Sequence, residues 1–287
     1  MTETAPRPFR SVLYVPASNA RAMAKAAGLP VDALILDLED AVAPEAKEGA
    51  REALRGAAPG PGFRLVRVNG AGTPWHEGDL ALVRELRPDA VLLPKVAGPG
   101  DVAAAAGALP EGVAVWAMIE TPAGVLAAEA IAAAPRVGGL VMGTNDLAAE
   151  LRAAGRAAMG HALQRTVLAA RAAGVVAVDG VCNALRDEDA LRAECEEGRR
   201  LGFDGKTLIH PAQVAAANAA FGPSAAEVAL ARRRIDAFAA AERAGQGVAV
   251  LDGAIVENLH VAEARWVLAL AGALGGDPAM AEPPAEG

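Results

Sequence analysis

Eight short runs of apolar residues, each followed by a stretch rich in Ala, Leu and Arg, constrain this chain more than any other feature. The runs are SVLYVPA (11–17), ALILDLED (33–40), RLVRVNG (64–70), AVLLPKV (90–96), AVWAMIET (114–121), GLVMGTNDL (139–147), VVAVDGV (175–181) and GKTLIHP (205–211). Runs that are apolar throughout, rather than at alternate positions, mark strands covered on both faces, as in a parallel sheet. The intervening stretches are predicted helical over 19–28, 44–57, 77–87, 100–108, 122–134, 160–173, 187–201 and 211–220. Start signals such as Pro44–Glu45 and Thr121–Pro122 support them. Eight β-then-α units over residues 9–221 predict a (β/α)8 TIM barrel. A doubly wound open sheet is the competing architecture; it needs a reversal of strand order, and no GxGxxG follows the first run.

Residues 222–274 follow the eighth unit. An Ala- and Arg-rich helix at about 224–243 leads into GQGVAVLDGAIVEN and a last helix over 258–274. That length is too small for a core of its own, so a lid over a barrel mouth, its own or a neighbour's, is expected. Residues 275–287, rich in Pro, Ala, Gly and Glu, read as a disordered tail. A net charge of -8 and 3% aromatic residues argue against nucleic acid as a partner. No uninterrupted apolar stretch spans a bilayer, the Ala-rich region at 102–119 being broken by Pro110 and Glu111. MTETAPRPFR lacks the apolar core of a secretory signal, and Cys182 and Cys195 form neither a CxxC nor a zinc pattern. Two reduced thiols in a cytoplasmic protein are the expectation.

Polar residues gather at the C-terminal ends of the runs: Ser18 and Asn19; Asp37, Glu39 and Asp40; Arg67 and Asn69; Lys95. Further along come Glu120 and Thr121, Asn145 and Asp146, Asp179, Lys206 and His210. In a parallel barrel these ends converge on one rim, where active sites are built. Any one acid there could simply cap the next helix. Taken together, DLED, IETP and GTNDL bring four or five carboxylates to one rim with few His and no Cys, which suits a hard cation. Mg²⁺ takes oxygen ligands, often one or two carboxylates with water and substrate completing the shell. Lys95 has the look of a Schiff-base lysine, but beside a metal-assembling set of acids it is read as electrostatic or structural. His210, before a proline, is read as structural, and His76, His161 and His260 have no partner logic. Arg21 and Lys25 lie four apart on the first helix and share a face that could meet a phosphate; a solvated surface is the plain alternative.

SVLYVPASN, DALILDLEDAVAPEAKEGAR, VRVNG, LLPKV, MIETPAGV, GTNDLAAEL and GFDGKTLIHPAQV stand here in an order and spacing that resemble the HpcH/HpaI aldolase and citrate lyase β-subunit superfamily. The likeness is nearest to its CitE-like branch of citramalyl-CoA and malyl-CoA lyases and runs from about residue 9 to 274. It implies a Mg²⁺-dependent barrel enzyme that cleaves a 3-hydroxyacyl-CoA to acetyl-CoA and a 2-oxo acid, or runs the condensation. By motif, Glu120 and Asp146 resemble the metal ligands, with Glu120 also at the substrate. Arg67 resembles the residue facing the 2-oxo acid, and Glu39 and Asp40 resemble acids that hold metal-bound water. Tyr14, Arg21 and Lys25 match positions that contact CoA, with the backbone of Ile209 and His210 on the same side. The resemblance also implies a homo-oligomer, a trimer or a multiple of one. It leaves open a class II aldolase of free 4-hydroxy-2-oxo acids, a citrate lyase β subunit working with an acyl carrier protein, and a non-catalytic CoA-ester binder.

One segment departs from the pattern. The lyases carry a proton-transferring Asp in a DGKMID-like segment, often supplied by an adjacent subunit. Here LDGAIVEN keeps Asp252 and Gly253, replaces the Lys with Ala254 and puts Glu257 at the acid position. Glu257 is the candidate acid–base, with Asp252 as the alternative. The extra methylene alters the reach of the carboxyl group in a constellation that tolerates about 0.5 Å.

Overall fold

Each apolar run forms a strand, but a shorter one than the run itself: β1 (Ser11–Pro16), β2 (Ala33–Asp37), β3 (Phe63–Arg67), β4 (Ala90–Leu93), β5 (Ala114–Ile119), β6 (Val137–Met142), β7 (Val176–Asp179) and β8 (Gly205–Leu208). The polar tails of the runs leave the ladder and become the rim. All neighbouring pairs are parallel, and Ser11, Val12 and Leu13 pair with Lys206, Thr207 and Leu208 to close the barrel. The structure is a computed structural model and describes residues 6–57 and 62–275.

Side chains alternate between the barrel interior and the helix layer, so sequence parity sorts them. Val12, Ala33, Ile35, Leu65, Ala90, Leu92, Trp116, Met118, Val141 and Val178 fill the interior with Phe9. The opposite parity, including Leu13, Leu34, Val66, Val91, Val115, Leu140 and Ala177, packs under the helices. Three of the nine aromatics plug the N-terminal end: Phe9, Phe63 and Trp116 have ring centroids 5.1 to 5.6 Å apart. A Cβ on Gly139 would lie 2.7 Å from the Trp116 ring, so β6 carries glycine where the indole crosses it. Trp116→Ala should therefore empty the plug and lower unfolding free energy by about 3–5 kcal/mol; urea denaturation reads this, and a loss under 1 kcal/mol would reject the packing account.

The helices of the barrel are α1 (Ala20–Ala26), α2 (Lys47–Arg55), α3 (His76–Leu86), α4 (Pro99–Ala108), α5 (Pro122–Leu126), α6 (Ala128–Ala132), α7 (Thr144–Leu151), α8 (Gly160–Ala173), α9 (Glu188–Leu201) and α10 (Val214–Phe221). The stretch expected as one helix over 122–134 is two short ones meeting at Ala127. α7 was not expected, because residues 139–147 read as one strand. Its start signal is nonetheless present: Gly143 stands at the cap position and Asp146 in the first turn.

Residues 222–275 belong to a second unit, separate from Phe9–Phe221. It holds α11 (Ala225–Arg243), β9 (Ala249–Leu251), β10 (Ala254–Val256) and α12 (Asn258–Ala273). Ser224 and Glu227 form a reciprocal capping box at the start of α11. Asp252 and Gly253, with φ of 52° and 79°, make a two-residue hairpin turn. Contrary to the expectation from its length, the segment has a small core of its own, Phe238, Ala241, Ala249, Val256 and Val261, because the hairpin folds its inward residues onto α11 and α12. The expected tail lies outside the described residues from 276 on. Among the described residues no helix is long and apolar enough to cross a membrane.

Candidate active site

The DLED segment divides its three carboxylates between two tasks. Asp37, fully buried at the end of β2, accepts from the backbone N–H of Glu39 and Ala41 and from Arg67 through a two-point fork, Nε at 2.7 Å and Nη2 at 2.6 Å. It anchors the loop and the guanidinium at once. Glu39 is also buried; its Oε2 lies 2.9 Å from Arg67 Nη1 but makes no hydrogen bond. Asp40 is mostly exposed, 3.8 Å from the same nitrogen. With Nε and Nη2 held by Asp37, Nη1 is the guanidinium nitrogen that faces Glu39 and Asp40 at the rim. Its guanidinium stacks over the Tyr14 ring at 4.9 Å and Nη1 also reaches Met118 Sδ. Burial opposes the Arg67 charge, but Asp37 and its neighbours outweigh this and push the pKa up, so it stays protonated.

Glu120, at the end of β5, is buried and accepts the backbone N–H of Lys95 at 2.7 Å. Gly143 makes room for it: a Cβ at 143 would overlap the Glu120 carboxylate. Asp146 reaches the same rim from the first turn of α7 and is partly exposed. Tyr14, Asp37, Asp40, Arg67, Glu120 and Asp146 all line one cavity of about 330 Å³. Burial is the main cause that raises the carboxyls of Glu39 and Glu120 to about 7, with neighbouring acids adding to it. A raised carboxyl pKa means that ionisation costs the folded state stability as pH rises from the usual 4.5 towards 7.

A divalent cation fits this donor set. Two buried carboxyls held up in pKa, Glu39 already beside Arg67 and Glu120 with a backbone N–H as its hydrogen-bond donor, are what a further positive charge would relieve. Among the described residues no group of three or more His, Cys, Asp and Glu is gathered tightly enough to hold a metal ion. Mg²⁺ is the cation least in need of such a cage, since water and substrate oxygens complete its shell.

The other expected site residues divide. Tyr14 lies inside the barrel mouth against Arg67 and Met118, and burial pushes its hydroxyl pKa up. Arg21 and Lys25 are exposed on α1 and do not line the cavity, so the three are not brought together. Ile209 lines the cavity. The backbone N–H groups of Ile209 and His210 both donate to Gln213 Oε1, and His210 Nδ1 accepts from the Ala212 N–H, a capping role. Glu257 stands before α12 in the second unit, where its backbone N–H donates to His260 Nδ1. Asp252 is paired with Arg233 at 2.5 Å and shapes the hairpin turn.

Asp179 and Lys206 do not belong to the rim. Both have the outward parity and are fully buried under α9, where Lys206 Nζ lies 2.9 Å from Asp179 and from Glu194, and Arg156 forks onto Asp179. Sequence reasoning also missed the clamp behind DLED. Buried Lys47 donates at 2.7 Å to the carbonyls of both Leu38 and Glu39. Asn69 donates to Leu38 O and to Asp79, which Arg51 also holds. The signal was the K and R of DLEDAVAPEAKEGAR, one helical turn apart on α2.

Residues 10–211 match the model of the HpcH/HpaI aldolase/citrate lyase family. A (3S)-malyl-CoA thioesterase of Cereibacter sphaeroides is 56% identical over 274 residues, covering 93% of this chain and 96% of that protein. The citrate lyase subunit beta of Escherichia coli is 36% identical, covering 92% and 94%. The crystal structure of CitE from Mycobacterium tuberculosis in complex with magnesium, acetoacetate and coenzyme A superposes with a TM-score of 0.78 at 32% identity, covering 93% and 99%. With the motif order, the closed eight-stranded barrel and these likenesses in agreement, the chain belongs to the HpcH/HpaI aldolase/citrate lyase family.

Proposed function

We propose that this protein is a Mg²⁺-dependent enzyme acting on the acyl end of a malyl-type 3-hydroxyacyl-CoA, and that it hydrolyses the thioester to the free hydroxy acid and CoA. The observation that carries the substrate class is the single cavity that Arg67, Glu120 and Asp146 share. At about 330 Å³ it accommodates a short dicarboxylate acyl group and leaves the nucleotide outside. Exposed Arg21 and Lys25 on α1 supply positive charge for CoA phosphates. Hydrolysis is supported by the 56% likeness to a protein named for that activity.

Glu120 and Asp146 would hold the cation and Glu39 and Asp40 would orient its remaining shell; when bound, it supplies fixed positive charge at the substrate's carboxylate and hydroxyl. Arg67, fixed by Asp37, donates through Nη1 to the oxygen that gains charge, and no reorganisation is needed because the fork already holds it. In hydrolysis, water adds to the thioester carbonyl, the C–S bond breaks and the thiol leaves with a proton; Glu257 is our candidate for moving it. The outward hairpin pair Val250 and Ile255, 70% and 60% exposed, with Leu259 and Trp266 exposed nearby in sequence, is the kind of apolar face another copy covers. We take the protein to be a homotrimer or a multiple of one, which light scattering would check.

Carbon–carbon cleavage is the second reading, favoured by the family's lyase members and by Arg67 facing the cavity. One incubation of (3S)-malyl-CoA with Mg²⁺ separates the two. Free thiol with malate establishes hydrolysis, whereas acetyl-CoA with glyoxylate establishes the lyase. Neither product, with the protein folded, would reject both.

A further inference from the structure

Lys95 holds an unusual place on this rim. Its backbone is left-handed, with φ of 54°, a conformation that side chains other than glycine and asparagine rarely adopt. That geometry lets its N–H point at Glu120 while its ammonium lies 3.7 Å from Asp146 Oδ2 and 3.9 Å from Glu39 Oε1. One residue thus touches three carboxylates of the site. The neighbouring cations are tied down: Arg67 by Asp37, and buried Lys47 by two carbonyls. The Lys95 side chain is half exposed and lines not the cavity of about 330 Å³ but an adjoining one of about 720 Å³, which leaves it room to move.

We propose that Lys95 is a displaceable counter-ion of the acidic rim. Resting on the divalent-cation reading above, its ammonium neutralises Glu39 and Asp146 while the metal is absent and competes with the metal for Asp146. A cation held by that carboxylate would share it with an ammonium that lies 3.7 Å from Asp146 Oδ2, and two cations drawn to one carboxylate repel each other even in a partly solvated site. The ammonium therefore draws away from Asp146, further into the cavity that Lys95 already lines, when the site loads. Lys95 is a positioning residue that sets metal affinity; it touches no reacting atom.

Lys95→Asn removes the charge and keeps a residue tolerant of left-handed backbone; Lys95→Arg keeps the charge. Mg²⁺ titration calorimetry at fixed ionic strength should show Lys95→Asn binding about five- to tenfold tighter than wild type, and Lys95→Arg within about twofold. In EDTA the Asn variant should melt below wild type, and saturating Mg²⁺ should abolish the difference. Equal or weaker Mg²⁺ binding by Lys95→Asn, with normal binding by wild type, overturns the counter-ion role alone. No Mg²⁺ binding by wild type overturns it together with the metal reading.

Discussion

Glu120→Gln should abolish turnover, lowering kcat by about 10³-fold or more, while leaving the barrel folded. A cation's charge at a reacting centre supplies several kcal/mol, and each 1.36 kcal/mol is a factor of ten. Gln keeps the oxygen that accepts the Lys95 N–H, so the β4 rim should hold its shape. It also removes one buried negative charge, so melting in EDTA should be no lower than wild type, whereas the Mg²⁺-induced rise in Tm should vanish. Gly143→Ala reaches the same end by another route: its Cβ would overlap the Glu120 Cβ and carboxylate and so push the whole side chain aside without changing its chemistry. Product release followed by thiol or glyoxylate assay, beside melting curves, checks both variants. Full activity or an intact Mg²⁺ shift in Glu120→Gln would remove Glu120 from the site.

Arg67→Lys is the second large effect, and it is not a conservative change here. The guanidinium does two jobs, forking onto Asp37 through Nε and Nη2 and offering Nη1 to the cavity. An ammonium at 67 can serve Asp37 or the substrate, not both. We expect kcat to fall by about 10²- to 10³-fold, the cost of losing one preorganised donor at a charged oxygen. Arg67→Met goes further and leaves Asp37 buried without its cation, which should cost about 3–5 kcal/mol in a denaturant titration. A Lys variant with near wild-type kcat would show that the fork is dispensable.

Much of this was legible in the residues. The eight runs predicted the barrel, and DLED, VRVN, IETP and GTNDL marked Glu39, Arg67, Glu120 and Asp146, which the structure places around one rim. Asp37 was seen only as one acid of three, because nothing in the letters says that its partner is Arg67, thirty positions on. Lys47 and Asn69 were hidden for the same reason: they act on the carbonyl of Leu38, and a backbone atom has no letter. The Asp–Gly pair is a hairpin-turn signal legible in the letters, and the turn gives Asp252 a structural task.

Hydrophobic patterning by itself determined eight parallel strands covered on both faces; that they close into a barrel rather than an open sheet was decided by the pairing of the first strand with the eighth. Which polar residues meet was decided only in three dimensions. A strand residue faces the barrel interior or the helix layer according to a parity that starts at the strand's first paired residue, and sequence does not state that register. That is why Glu120 and Arg67 face the cavity while Asp179, at an equivalent strand end, and Lys206, near the start of β8, lie under a helix and neutralise each other.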